Sequence, residues 1–342
     1  MLKSIQSLRG IFAFFIFLHH AGVFAAGGDS GVSFFFILSG FVLSDGYQQK
    51  FGEKQISYGT FIKKRIAKIY PLHVLCFIVA FILTLHMEHN PLVWLANLLL
   101  LQSWSPDANV HFSANAVSWF LSAMLFLYLL FPFIVRLANS SLRRFFISSL
   151  TMFIIYFIAI QFVPSGMFNN IIYINPLFRL PDFVLGILLW QMIGTKVKSR
   201  DSSGRQMKMM TKTMIELSAV AFFILTWIAY SMVSLRYGVV SLWWPVSIAL
   251  ISVFSLFNAD GGIVSRFLQI RPFVSFGNIS FSFYMVHVLV IDTARRISGR
   301  LNLEMSDVVF IPVVFVITVS IAYVVWIYLE RPVTRRLLNR FR

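Results

Sequence analysis

The chain has 342 residues, 58% of them hydrophobic, 17% aromatic and only 12% charged, with a mean hydropathy of +0.79. A soluble domain carries about 25% charged residues, so a water-soluble globule is excluded and a polytopic membrane protein is predicted. The formal net charge of +16 then reads as topology and not as nucleic-acid binding, because Lys and Arg gather on the cytoplasmic side of membrane proteins.

Apolar runs bounded by charge or by Gly, Pro and Asn predict about ten spans, at roughly 8–26, 31–47, 70–86, 115–135, 145–163, 177–194, 213–235, 237–257, 273–293 and 308–329. The apolar run 91–104 is too short to span and predicts an interfacial or re-entrant segment. The polar stretch 196–212 (KVKSRDSSGRQMKMMTK) reads as a solvated linker. The expected fold is an all-α transmembrane bundle, one integral-membrane domain over 1–342, with both termini cytoplasmic. In that topology every Lys and Arg except Arg179, Arg236, Arg295, Arg296 and Arg300 falls inside, which satisfies the positive-inside rule. The three late outer arginines read either as a loop carried across by its neighbours or as a cationic patch for an anionic glycolipid.

The amino terminus has the pieces of a secretory signal: Lys3 and Arg9, the apolar residues 11–18, and small residues at 25–27. The adjacent His19 and His20 interrupt the apolar region, and a retained first helix is expected. Cys76 is the only cysteine, so neither an intrachain disulfide nor a cysteine-based metal site is available. The histidines at 19, 20, 73, 86, 89, 111 and 287 have no HExxH or paired ligand spacing, so no metal is expected.

Arg9 and His20 are ionisable residues inside an apolar run, where lipid makes them costly. Eleven positions separate them. At about 100° and 1.5 Å per residue they share one helical face about 16 Å apart, which puts an unyielding cation at the cytoplasmic end and an imidazole at mid-depth. His19 faces about 100° away from His20.

The ordered blocks SLRGIFAFFIFLHHA, GVSFFFILSGFVLS, FIKKRIAKIYPLH, SWFLSAMLFLYLLFP, RLPDFVLGILLW, FGNISFSFYMVH and YLERPV resemble the membrane-bound acyltransferase-3 family over nearly the whole chain. Each block is weak alone, and their joint order is specific. The resemblance implies transfer of an acyl group, commonly acetyl, from cytoplasmic acyl-coenzyme A to a carbohydrate or lipid-linked glycan, as in O-antigen and exopolysaccharide O-acetyltransferases of the bacterial inner membrane. Acetyl-coenzyme A is then a substrate, and no permanently bound cofactor is expected.

The Arg, ten residues, His pattern places the family histidine on His20, as general base or as transient acyl carrier. Arg9 suits a phosphate or carboxylate partner. Arg65, Lys68 and Tyr70, with Ser39, are the residues expected at the coenzyme; Lys68 stands where the family usually has Arg. Ser118, Trp119, Tyr284, His287 and Glu330 are expected around the acceptor or behind His20, and Glu330 has Arg9 or Arg65 as a candidate ion-pair partner. Ser33 and Met124 occupy positions where family members often carry acids, so the group that orients His20 is left open. A small-molecule acceptor such as a macrolide, and a proton-coupled transporter using Arg9 and His20, are the alternatives.

Overall fold

A computed structural model describes residues 2–85, 87, 90–198, 207–232, 241–257, 260–303 and 305–340. His86, His89, Arg236, the middle of the 196–212 linker and the start of the predicted 237–257 span lie outside the described residues. Fifteen α-helices follow in chain order: α1 (Lys3–His20), α2 (Ala25–Gly52), α3 (Tyr58–Leu83), α4 (Pro91–Leu98), α5 (Ala108–His111), α6 (Trp119–Ser140), α7 (Leu142–Phe162), α8 (Pro176–Lys198), α9 (Met209–Met232), α10 (Trp243–Leu256), α11 (Ile263–Leu268), α12 (Arg271–Asn278), α13 (Ser280–Arg300), α14 (Asp307–Val325) and α15 (Arg331–Asn339). A π-helical turn, Trp326–Glu330, joins the last two. Among the described residues there is no β-strand. This is an all-helical, multi-pass membrane protein.

Seven of the described helical stretches are long and apolar enough to cross a membrane, and the α12–α13 pair, bent by 69°, makes an eighth. The other two predicted spans correspond to α1, whose apolar run also carries Lys3, Gln6, Arg9 and two histidines, and to α10, which has 14 residues. The 91–104 run folds as the eight-residue α4 followed by a short 3-10 turn, about 12 Å of α-helix and far short of a bilayer.

α1 is wedged between two apolar clusters. Ala13, Ile16 and Phe17 pack with Phe36 and Phe283, while Ile5, Leu8 and Phe12 pack with Phe34 and Ile37; Phe12 and Phe34 stack at 4.0 Å. With both flanks apolar, the polar positions of α1 are confined to what remains of its circumference. α1 ends at His20 because Gly22 adopts φ +90° just beyond it, a left-handed conformation that glycine takes without a Cβ clash. His20 is therefore the terminal residue of its helix, whereas the 8–26 span would have placed it mid-helix.

Without a hydrophobic force between helices in lipid, close packing needs small residues. α2 and α8 meet at Gly40 and Gly186: a Cβ on Gly40 would stand 2.0 Å from the Phe183 carbonyl oxygen, and one on Gly186 would stand 1.9 Å from that of Ile37. This contact sets Ser39, one residue away, against the cavity described next.

Candidate active site

Arg9 from α1 and Arg65 and Lys68 from α3 converge on a cavity of about 200 Å³ that Ser39, Met124, Tyr128 and Tyr284 also line. Arg65 and Lys68 are three apart and so share a helical face. Arg65 donates to the Tyr47 hydroxyl at 2.7 Å, and its guanidinium lies 4.9 Å over the same ring. Arg9 donates to Gln6 Oε1 at 3.3 Å, and Gln6 Nε2 donates to the Gly277 carbonyl at 2.6 Å, so α12 braces the cation.

Among the described residues no carboxylate lies within 4.0 Å of Arg9, Arg65 or Lys68, and Asp45, also on the lining, faces Lys198 at 4.0 Å. Glu330 acts on Arg9 and Lys68 only from beyond ion-pair distance, so three cations share one distant carboxylate and make an anion site in which a guest relieves their mutual repulsion. Ser39 donates to the Phe35 carbonyl at 2.7 Å; its proton is engaged, and toward a guest it has acceptor capacity only.

His20 lies outside this lining. Its imidazole is 5.1 Å from that of His287, centroid to centroid, and 5.2 Å from that of His19. Tyr284 connects the two regions: its side chain lines the cavity, and its carbonyl lies 2.6 Å from His287 Nδ1. With Nδ1–H donating there, Nε2 of His287 is an acceptor, and it is buried without another partner among the described residues. His287 thus presents a lone pair in the neighbourhood of His20. At the same end of α1, Arg295 donates to the carbonyls of His20 and Ala21 at 3.4 and 3.3 Å. His19 turns away, its Nδ1 2.8 Å from the Ala25 carbonyl oxygen.

Other predicted residues fall elsewhere. Glu330 makes no ion pair with Arg9 or Arg65; it accepts from Ser282 Oγ at 2.5 Å, because the π-helical turn carries it to the start of α13. Ser118 is buried in a network with Gln102 and Asn97, at 3.0 and 3.3 Å, and Trp119 packs on Tyr173 with centroids 5.1 Å apart. Tyr70 packs edge-on to His73. None of these three lines the cavity. Ser33 is buried and faces Asp182, whose partner Arg179 lies 3.6 Å away and donates Nε–H to the Tyr173 carbonyl at 2.8 Å. Met124 takes its place on the cavity wall, where an acid would have offset the cations.

Sequence reasoning missed Gln6, the brace of Arg9, and Ser282, the partner of Glu330. Gln6 sits one helical turn before Arg9 at the start of an apolar run, a legible signal; Ser282 has none.

Comparison with known proteins gives the family of the chain. The acyltransferase-domain profile of the acyltransferase-3 family matches residues 2–327. The chain is 30% identical over 292 residues to "Acyltransferase MdmB" of Streptomyces mycarofaciens, covering 80% of this chain and 70% of that protein. It is 43% identical over 75 residues to "Protein 2 in picA locus" of Rhizobium radiobacter, covering 21% and 39%. No solved structure matches.

Proposed function

The chain belongs to the acyltransferase-3 family, and from that premise we propose that it moves an acyl group, acetyl in the simplest case, from acyl-coenzyme A to a hydroxyl of a cell-envelope carbohydrate such as O-antigen or exopolysaccharide. The observation that carries this reading is the triad Arg9, Arg65 and Lys68, with no direct ion pair among the described residues, in a cavity whose wall residue Tyr284 bonds the histidine beside His20. Phosphate oxygens satisfy such a triad, and the acyl-pantetheine arm is a narrow chain that can run from it along Tyr284.

In the transfer, the acceptor oxygen attacks the thioester carbonyl carbon while His20 takes the hydroxyl proton. The C–S bond breaks, and the thiolate recovers the proton from His20. Acyl transfer through an imidazole intermediate is the variant in which His20 itself is the first acceptor. The whole chain acts as one integral unit of the bacterial inner membrane, with ten spans and cytoplasmic termini. The charge distribution supports this, as does the 18-residue length of α1, about 27 Å of helix.

Mass spectrometry of surface polysaccharide from cells with and without the intact protein tests the proposal: an acetyl-sized mass difference is expected. No difference removes the polysaccharide acceptor, and labelled acetyl-coenzyme A offered to the purified protein with small-molecule acceptors then identifies the alternative.

A further inference from the structure

A second recess adjoins the first. It measures about 490 Å³ and lies between the C-terminal segment and α3, lined by Tyr47, Lys64, Trp326, Arg331 and Arg335, with Lys68 common to both cavities. Ligand sites for molecules of drug size occupy about 300–1,000 Å³. The first cavity, at about 200 Å³, is too small for a whole coenzyme A and large enough for its thioester arm. The second falls within the range.

Four cations face this recess, Lys64, Lys68, Arg331 and Arg335, against one carboxylate, Glu330, which is already hydrogen-bonded by Ser282. Two aromatic rings, Tyr47 and Trp326, complete the wall; Arg331 lies 5.4 Å over Trp326. Basic side chains alone are common near a membrane surface. Basic side chains interleaved with aromatic faces match a nucleotide, whose base stacks while its phosphates take charged hydrogen bonds. The π-helical turn makes this combination by placing Trp326 and Arg331 against α3.

We infer that this recess binds the adenosine 3′-phosphate portion of the acyl donor, leaving its diphosphate to the Arg9, Arg65 and Lys68 triad of the first cavity. Arg335 and Lys64 hold the 3′-phosphate, Trp326 stacks on the base, and Lys68 marks the passage where the diphosphate meets the inner triad and the pantetheine arm runs on into the first cavity. The inference rests on the acyl-coenzyme A reading above, and it adds α15 to a donor site otherwise built from α1 and α3.

The test uses the full-length protein in phosphatidylcholine nanodiscs, titrated with coenzyme A, 3′-dephospho-coenzyme A, adenosine 3′,5′-bisphosphate and S-acetylpantetheine. Arg335→Ala, at an exposed position, and Lys64→Ala, at a half-buried one, are expected to weaken coenzyme A and adenosine 3′,5′-bisphosphate at least tenfold. They should erase the preference for coenzyme A over its dephospho form and leave S-acetylpantetheine within twofold. Trp326→Leu should weaken the bisphosphate about tenfold. Unchanged coenzyme A affinity in both cation variants overturns the inference while leaving the donor reading intact. Equal weakening of S-acetylpantetheine overturns it as well, because the variants then act through the fold. An effect confined to nanodiscs containing anionic lipid assigns the recess to lipid headgroups instead. Arg335-dependent bisphosphate binding without acyl transfer keeps the nucleotide seat and removes the transferase reading; a wild-type protein that binds neither nucleotide probe removes the seat.

Discussion

The imidazoles of His20 and His287 lie 5.1 Å apart, and His287 is oriented by a 2.6 Å hydrogen bond from Nδ1 to the Tyr284 carbonyl. The residue beside the proposed base is thus a second histidine with a fixed tautomer. His20→Ala should abolish transfer, a loss of about 10²–10⁴-fold if the imidazole acts as general base. His287→Asn should lower kcat by about 10²-fold, the scale of a misplacement near 1 Å, with KM for acyl-coenzyme A little changed. A His287→Asn enzyme with wild-type kcat excludes the positioning role.

The cation triad predicts a different kinetic signature. Arg9→Gln or Lys68→Gln should raise KM for acyl-coenzyme A about tenfold, as loss of one charge-assisted phosphate contact does, and should make the inhibition by salt shallower. Arg65→Lys should also be impaired, because lysine cannot reproduce both the Tyr47 hydrogen bond and the stacking on its ring. Steady-state kinetics at two ionic strengths decide this; a pure kcat effect counts against a donor-binding role.

The α2–α8 contact leaves no room for a methyl group. Gly186→Ala or Gly40→Ala drives a Cβ into a carbonyl oxygen, so the helices must separate, at about 1–3 kcal/mol for overpacking. The expected readout is a lowered midpoint in thermal size-exclusion traces. Unaltered midpoints for both variants would show that the helices slide apart freely.

Glu216 is fully buried and accepts from the backbone N–H groups of Gly262, Val264 and Ser265 at 2.7, 3.0 and 3.2 Å. It caps α11, which holds α1 through the 2.5 Å bond from Ser7 Oγ to the Leu268 carbonyl. Glu216→Ala leaves these donors unsatisfied, at about 1–3 kcal/mol each. Glu216→Gln, which keeps an acceptor oxygen, should recover part of the loss. Equal stability of the two variants contradicts the capping role.

Helical content, the membrane-protein class and the short 91–104 segment were legible in the sequence, because hydropathy and segment length are local properties. The motif blocks named the family, and Arg9, Arg65 and Lys68 proved to share a cavity with Ser39 and Tyr284. The placement of Ser118, Trp119 and Tyr70 away from the cavity was not legible: a motif records that a residue type recurs, not whether it packs, as Trp119 does on Tyr173.

Amino-acid order alone determined a helical membrane acyltransferase whose first helix carries a cation and an imidazole. Tertiary structure decided where that helix stops, at His20 before Gly22, and what stands beside it. His287, Ser282 and Arg335 come from the far end of the chain, and only packing of α13 and the C-terminal segment against α1 and α3 brings His287 beside His20, Ser282 onto Glu330 and Arg335 into one recess with Lys68. Such long-range contacts arise from the close fit of whole helices, which no local pattern of residues encodes.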